Sequence, residues 1–329
     1  MTITILGAGN MGCALATMLA ANRHRVQLWS VEADVVQDIE RHHRTEKYLP
    51  GITLDVRRIR ATGDLAAACR EADGIVVAVP SHVVAAVARD ARPFLAARVP
   101  VLCIAKGIDA QTNAPLPFVL AGALGRQRGG ICGLAGPAVA AEFVRGTPTA
   151  VLVAGSPSAA GFWQRVFARP TFHVQRSSDV VGVSWAAALK NVYAIALGMC
   201  DGMQYAMNTK ALLVERAIAE MTTVLRRVRA RPETVYGLAG IGDLVTTGFS
   251  AHGRNRQFGE RICAGADCDI PAVLAVTTVE GVACVAVVHA WAQRHGVALP
   301  LLETVWRVCH RHADPCRALE RYLRTAYQD

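Results

Sequence analysis

The sequence predicts an α/β protein in which a doubly wound sheet domain is followed by a mainly α-helical domain. Three observations lead to this prediction: short β-rich apolar runs alternate with helical patterns up to about residue 180, a glycine-rich turn directly follows the first run, and strand signals stop after Ser178. Strands that alternate with helices are typical of a parallel sheet with helices on both faces. We therefore predict one domain at residues 1–180 and a second at 181–329.

The elements of the sheet are predicted from seven apolar runs, at residues 3–6, 26–29, 74–79, 101–104, 130–134, 149–153 and 171–175. Helical periodicity separates several of these runs, as at residues 11–21 and 83–92. Beyond residue 181 the pattern is one of long helices interrupted by glycine-rich turns at 236–243 and 248–253.

The turn after the first strand has the sequence Gly7-Ala-Gly9-Asn10-Met11-Gly12 and opens the first helix. In that position Gly7 makes the tight turn, Gly9 lets the backbone approach a pyrophosphate, and Gly12 packs helix on strand. The motif predicts a dinucleotide-binding domain of the Rossmann type. The second strand ends at Ser30, with Glu32 slightly later and no arginine immediately after the strand, so the sequence leaves NAD and NADP open.

Composition excludes several other classes of protein. The chain is 52% apolar and 19% charged, has no uncharged apolar stretch of membrane-spanning length and begins without a signal peptide, which predicts a cytoplasmic protein without membrane insertion. The ten scattered cysteines predict buried free thiols and no metal site. The net charge of +9 is interpreted as an attraction for phosphorylated metabolites, because no aromatic residues interleave with the basic cluster at 226–231, as a nucleic-acid surface would require.

Lys190 is one of only four lysines among 35 basic residues, and it interrupts an apolar helical run. Its neighbours at helical spacing are alanine, tyrosine and leucine, so its side chain is expected in a desolvated place. An ammonium group can lose its proton there, whereas a guanidinium cannot, which points to proton transfer. The alternative is a lysine whose charged end reaches back to water.

Three further charged positions attract attention. Lys106 follows a predicted strand, at the edge of the sheet where such folds bind ligands, although an ordinary charged residue is equally consistent with that position. Asp243 stands in a glycine-rich turn with apolar flanks. Arg254 and Asn255 follow Gly253 and suit a phosphate, although aspartate and asparagine also cap helices and arginine is common on surfaces.

Together these residues carry a resemblance to the NAD(P)-dependent glycerol-3-phosphate dehydrogenases, which interconvert dihydroxyacetone phosphate and sn-glycerol 3-phosphate. The resemblance extends over nearly the whole chain and rests on ordered motifs. They are Gly7-Ala-Gly9-Asn-Met-Gly12, Lys47-Tyr-Leu-Pro-Gly51, Val79-Pro-Ser-His82, Ala105-Lys-Gly107, Gly136-Pro137, Ala188-Leu-Lys-Asn-Val192, Gly198-Met-Cys-Asp-Gly202, Gly240-Ile-Gly-Asp-Leu244, Gly253-Arg-Asn-Arg256 and Val279-Glu-Gly281.

The resemblance implies a role for each matching residue. Lys190 is expected to be the catalytic general acid and base, supported by Asp243 and Thr247. The residues expected to contact substrate are Lys106, Gly136, Lys190, Asn191, Asp243, Arg254 and Asn255. The residues expected to contact NAD or NADP are Gly7, Gly9, Asn10, Met11, Gly12, Lys106, Ala140, Arg254 and Glu280. The resemblance also implies a homodimer and a supply of glycerol phosphate for phospholipid synthesis.

Some positions depart from the family. Ala138 and Val139 replace a hydroxyl-bearing and a bulky residue after Gly136-Pro137, Met11 replaces an aromatic residue, and Gly253 replaces a serine frequent in bacterial members. These changes leave room for a related phosphorylated ketone or alcohol as substrate.

Two rival interpretations agree less well with the sequence. A β-hydroxyacid dehydrogenase shares the two-domain plan, but places lysine and asparagine a helical turn apart, whereas Lys190 and Asn191 are adjacent. A catalytically silent dinucleotide sensor would need none of Lys190, Asp243 and Arg254.

Overall fold

The computed structural model describes residues 1–126, 130–265, 270–276 and 279–328. The chain divides into two compact units. Unit 1 comprises Met1–Lys106 and Pro115–Val180, and unit 2 comprises Gly107–Ala114 and Val181–Asp329.

Unit 1 contains an eight-stranded sheet with the strand order β3-β2-β1-β4-β5-β6-β7-β8. The strands are β1 Thr2–Leu6, β2 Arg25–Trp29, β3 Ile59–Thr62, β4 Gly74–Val77, β5 Val101–Cys103, β6 Ile131–Ala135, β7 Thr149–Ala154 and β8 Phe172–Ser177. Chain order reverses on the two sides of β1, which is the arrangement of a doubly wound sheet. The predicted fold class is confirmed.

The sheet differs from the prediction in two respects. β3 was not predicted, because its four residues alternate between buried and exposed positions and include an arginine. The sheet is parallel except at one position: β7 runs antiparallel to β6, with Gly133 opposite Ala154. The segment between these strands contains only the four-residue helix Ala140–Phe143, which is shorter than the crossover helices that join parallel strands.

Helices cover both faces of the sheet. Alternate strand residues belong to different apolar clusters: Val76 and Leu102 pack in one, and Ile75, Val77 and Val101 in the other. This alternation follows from the two-residue period of a strand and explains why the central strands β4 and β5 are apolar throughout. The helices of unit 1 are α1 Asn10–Ala21, α2 Ala33–His42, α3 Leu65–Cys69, α4 Val84–Ala91, α5 Leu116–Ala123, α6 Ala140–Phe143 and α7 Pro157–Phe167.

Unit 2 is helical in its described residues. Its helices are α8 Val180–Gly202, α9 Met207–Arg227, α10 Asp243–Phe249, α11 Arg254–Ala264, α12 Ile270–Val276, α13 Glu280–His295, α14 Pro300–Arg311 and α15 Pro315–Thr325. Helix α8 passes through the core of the unit. Of the helices described, it alone is long and apolar enough to cross a membrane, but 83% of its most apolar window is buried within the protein.

Two local predictions are refined by the structure. The predicted turn at 236–243 is a short π-helical segment, Leu238–Gly242, that runs into α10, so Asp243 begins a helix. No disulfide bond joins the cysteines within the described ranges, and all of these cysteines but Cys316 are buried, while Cys268 lies outside those ranges. Burial raises the pKa of several of these thiols, that of Cys103 to about 12, which keeps them protonated at neutral pH.

Candidate active site

The glycine loop between β1 and α1 is shaped by close backbone contacts. Gly7 has a φ of +118°, and a Cβ there would lie 2.7 Å from the carbonyl oxygen of Ala78. A Cβ on Gly12 would lie 2.0 Å from the carbonyl oxygen of Gly7. Both positions therefore require glycine for the fold itself, because the loop turns sharply and α1 packs directly against it.

Gly9 has no such structural reason to be glycine. A Cβ on Gly9 would have no neighbour within 4 Å among the residues that the structure describes. Gly9 is also the N-cap of α1, and Asn10, Met11 and Gly12 form the first turn behind it. Free space beside backbone amides at a helix amino terminus is the setting in which proteins bind pyrophosphate. The loop thus fits a nicotinamide dinucleotide.

Three other predicted site residues of unit 1 follow its strands. Lys106 lies beyond the end of β5 and is half-buried. Gly136 follows β6 with a φ of +121°, and a Cβ there would lie 3.1 Å from the Cα of Val151. Ala140 is buried and begins α6. Strand ends of this kind gather ligand-binding residues at one edge of a sheet.

In unit 2, Lys190 lies in the middle of α8 with 6% of its surface exposed. Its Nζ atom donates to Asp243 Oδ1 at 2.9 Å and to Thr247 Oγ1 at 2.5 Å. Asp243 and Thr247 are one turn apart on α10, so the same helical face presents both acceptors. The predicted desolvated position of Lys190 is confirmed.

Asp243 compensates the cost of burying the Lys190 charge. A buried ammonium needs a counter-charge and hydrogen-bond acceptors, and the buried Asp243 supplies both. The pair fixes the direction of the lysine side chain within a nonpolar helix bundle. A positioned ammonium group of this kind can donate a proton to an oxygen atom on which negative charge develops.

A chain of amide hydrogen bonds lies beside this pair. Asn255 Nδ2 donates to Asn191 Oδ1 at 3.0 Å, and the Gly281 amide donates to Asn255 Oδ1 at 2.9 Å. Asn191 Nδ2 lies 3.4 Å from Glu280 Oε2. Because Oδ1 of each asparagine accepts, the chain of bonds fixes which way both amides point, and Asn191 is held as a hydrogen-bond donor.

Arg254 is exposed at the first position of α11, next to the buried Asn255. The start of α11 is held by Arg256, whose Nε lies 2.6 Å from Asp201 Oδ2 at the carboxyl end of α8. Asp201 also pairs with Lys210 at 2.5 Å. Since the side chains of this ion cluster are mostly buried, it fixes α11 against α8 and thereby the location of Arg254.

Three residues of this site, Gly281, Asp201 and Arg256, have no role that the sequence predicts. The amide of Gly281 orients Asn255, and a Cβ at Gly281 would lie 2.5 Å from the Asn191 carbonyl oxygen. Asp201 and Arg256 form the ion pair that holds the start of α11. All three residues lie within the family motifs, but only their spatial partners reveal what they do. Among the residues described, no three His, Cys, Asp or Glu side chains form a group that could hold a metal ion.

Two family models cover most of the chain. The model described as the NAD-dependent glycerol-3-phosphate dehydrogenase N-terminus matches residues 2–160, and the one described as the C-terminus of the same enzyme matches residues 179–320. Curated relatives include glycerol-3-phosphate dehydrogenase [NAD(P)+] of Anaeromyxobacter sp. (strain K), 38% identical over 327 residues, which cover 97% of this chain and 96% of the relative. The enzyme of the same name from Moorella thermoacetica is 37% identical over 311 residues, 94% of this chain and 92% of the relative.

Comparison with solved structures also finds a glycerol-3-phosphate dehydrogenase. The crystal structure of glycerol-3-phosphate dehydrogenase from Coxiella burnetii superposes with a TM-score of 0.91 at 32% sequence identity, covering 98% of each chain.

Proposed function

Because the chain belongs to the NAD-dependent glycerol-3-phosphate dehydrogenase family, we propose that it interconverts sn-glycerol 3-phosphate and dihydroxyacetone phosphate with NAD(P)(H). It is thus an NAD(P)-dependent oxidoreductase of glycerophospholipid metabolism. The observation that carries the proposal is the buried pair of Lys190 and Asp243, joined by the partly buried Thr247, beside the hydrogen-bonded amides of Asn191 and Asn255. A protein that only sensed a dinucleotide would have no use for this buried charge.

The chemistry is divided between cofactor and protein. When held by the glycine loop of Gly7, Gly9 and Gly12, the nicotinamide cofactor would supply a hydride to the carbonyl carbon of the ketone, or would accept one from the alcohol. Negative charge develops on the substrate oxygen as the hydride arrives, and Lys190 stabilises that charge and donates a proton to the oxygen. Asp243 and Thr247 hold the ammonium group in position. In the reverse direction Lys190 removes the hydroxyl proton.

We assign the remaining roles to residues that match the family motifs. The proposed substrate contacts are Lys106, Gly136, Lys190, Asn191, Asp243, Arg254 and Asn255. The proposed cofactor contacts are Gly7, Gly9, Asn10, Met11, Gly12, Lys106, Ala140, Arg254 and Glu280. A guanidinium group suits a phosphate because its donors match two oxygen atoms at once, which supports Arg254 as a phosphate ligand.

We propose that the two domains have different functions. Residues 1–180 would form the dinucleotide-binding domain and residues 181–329 the helical substrate-binding and catalytic domain. The remaining proposals are a cytoplasmic homodimer without nucleic-acid partners or membrane insertion. The net charge of +9 without an aromatic platform in the basic cluster supports small anionic ligands over nucleic acid.

The test is to mix the purified protein with dihydroxyacetone phosphate and either NADH or NADPH and to follow the loss of reduced-nicotinamide absorbance. We expect oxidation that depends on dihydroxyacetone phosphate and that is at least roughly a hundredfold slower in the Lys190→Ala variant. Cofactor binding without oxidation of either cofactor would contradict the proposed reaction.

A second candidate is a dehydrogenase of a related small phosphorylated ketone or alcohol. Ala138 is packed against the apolar core of unit 1 and has no hydroxyl, and a Cβ on Gly253 would lie 2.4 Å from the Thr247 carbonyl oxygen. A serine at position 253 would therefore require this backbone to move. The same assay with other three- and four-carbon ketone phosphates distinguishes the two candidates, because the substrate with the highest kcat/KM identifies the one that the site fits.

A further inference from the structure

The segment after β2 lies directly beside the glycine loop. The Gly7 amide donates to the Trp29 carbonyl oxygen at 2.9 Å, which joins the loop to the last residue of β2. The chain then continues through Ser30 and Val31 to Glu32, the N-cap of α2. In Rossmann-type folds this segment meets the adenosine ribose, where NAD carries a 2′-hydroxyl and NADP a 2′-phosphate.

Glu32 is held in place by two side chains from the following loop. Lys47 Nζ donates to its Oε1 at 2.7 Å, and the hydroxyl of Tyr48 donates to its Oε2 at 2.7 Å. Asp34 Oδ2 also lies 3.4 Å from Lys47 Nζ. The single ammonium group is thus shared by two carboxylates, which leaves an excess of negative charge at this end of β2.

The carboxylate and the ammonium group both stay charged under assay conditions. Hydrogen bonds from Lys47 and Tyr48 lower the pKa of Glu32, and the hydrogen bond to Glu32 raises the pKa of Lys47. Val31, between Ser30 and Glu32, is 81% exposed and offers no positive charge. A phosphate dianion would face a carboxylate that two partners prevent from turning away.

We propose that Glu32 is a specificity-determining residue that makes this site favour NADH over NADPH. In the same proposal, Lys47 can bind the 2′-phosphate of NADPH only when its ammonium group is not paired with Glu32. The inference rests on the proposed function only in assuming that the cofactor binds at the glycine loop. Each oxygen of the Glu32 carboxylate has a second lone pair, so it can still accept from a ribose hydroxyl, whereas it repels a phosphate. Removing the carboxylate removes the repulsion and frees Lys47.

The test measures the dissociation constants of NADH and NADPH by nicotinamide fluorescence, without substrate. For the unmodified protein we expect NADH to bind tighter by about tenfold or more. In Glu32→Gln the ratio should shift toward NADPH by at least about tenfold, and the double variant Glu32→Gln/Lys47→Met should lose the gain in NADPH affinity. Glu46→Gln is the matched control, because Glu46 is an exposed glutamate 3.9 Å from Arg44 on the same segment, and its ratio should not change.

The outcomes separate this inference from the proposed reaction. Equal affinity for the two cofactors in the unmodified protein, or an unchanged ratio in Glu32→Gln, overturns the inference whether or not dihydroxyacetone phosphate is reduced. A clear NADH preference that shifts in Glu32→Gln supports it even if dihydroxyacetone phosphate is not the substrate. Should Glu32→Gln fail to fold, Tyr48→Phe removes one of the two restraints on the carboxylate and should shift the ratio in the same direction by a smaller factor. No shift in Tyr48→Phe would then count against the inference.

Discussion

Lys190 and Asp243 are 53 residues apart in the sequence, yet Lys190 Nζ lies 2.9 Å from Asp243 Oδ1, and both side chains are almost completely buried. Neither charge could be buried alone at a tolerable cost in free energy. The pair therefore couples the stability of unit 2 to the group proposed to move the proton.

Substitutions at Lys190 and Asp243 can separate the effect of the pair on turnover from its effect on stability. Lys190→Ala should lower turnover by at least roughly a hundredfold while the cofactor dissociation constant is kept. It should also lower the free energy of unfolding by about 3–5 kcal/mol, because Asp243 is left buried without a counter-charge. The double variant Lys190→Met/Asp243→Asn should recover most of that stability and remain inactive. Steady-state rates and denaturant unfolding measure the two effects, and unchanged turnover in Lys190→Ala would refute the role of Lys190.

The three glycines of the cofactor loop should respond differently to alanine. Gly9→Ala adds a methyl group where no described protein atom lies within 4 Å, so its free energy of unfolding should change by less than about 1 kcal/mol. Its affinity for the reduced cofactor should nevertheless fall by roughly tenfold or more, because the methyl group meets the pyrophosphate. Gly12→Ala is the contrast: its Cβ would lie 2.0 Å from the Gly7 carbonyl oxygen, and it should destabilise the protein by at least about 1–3 kcal/mol. Thermal unfolding together with fluorescence titration tests both; normal cofactor affinity in Gly9→Ala would argue against binding at this loop.

Gly281 should be required for the orientation of the two asparagines. A Cβ there would lie 2.5 Å from the Asn191 carbonyl oxygen and 2.9 Å from Asn255 Oδ1, so Gly281→Ala must displace the start of α13. We expect kcat/KM for dihydroxyacetone phosphate to fall by about tenfold or more, since the fixed donor on Asn191 is lost. Gly265→Ala at the end of α11 is the matched control, because a Cβ there has no described neighbour within 4 Å. Equal kinetics for the two variants would mean that the amide chain does not position substrate.

Glu220 predicts a pH dependence of stability. Its carboxylate accepts hydrogen bonds from the Leu301 amide at 2.6 Å, the Leu302 amide at 3.1 Å and the Tyr193 hydroxyl at 2.9 Å. Burial outweighs these bonds and raises the pKa of Glu220 from 4.5 to about 7.

The folded protein therefore binds more protons than the unfolded chain between pH 4.5 and about 7, so its free energy of unfolding should fall as the pH rises through that range. The loss attributable to Glu220 should be at most about 3 kcal/mol. Denaturant unfolding of the wild-type protein and Glu220→Gln across this range measures it. If the difference in stability between the two proteins is the same at every pH, Glu220 does not titrate as described.

The fold was largely readable from the sequence where the local pattern was strong. The runs that form β1, β2 and β4 to β8 were predicted from their apolar, β-rich residues. The strands β4, β5 and β6 are buried at every position, whereas the edge strand β8 is buried only at Phe172 and Val174. The edge strand β3 was missed, since its four residues are partly exposed and include an arginine. The antiparallel direction of β7 has no local signal, because strand direction depends on the path of the connecting segment.

The sequence by itself determined the elements whose signals are local: the glycine loop that opens α1, the burial of Lys190 within an apolar helix, and the motifs that identify the family. Only the tertiary structure decided which side chains meet. The hydrogen bonds that Gly281 donates to Asn255, and that Lys47 and Tyr48 donate to Glu32, join residues that no helical or strand period brings together. Such contacts depend on how whole helices and loops pack, because that packing sets the distances between groups far apart along the chain.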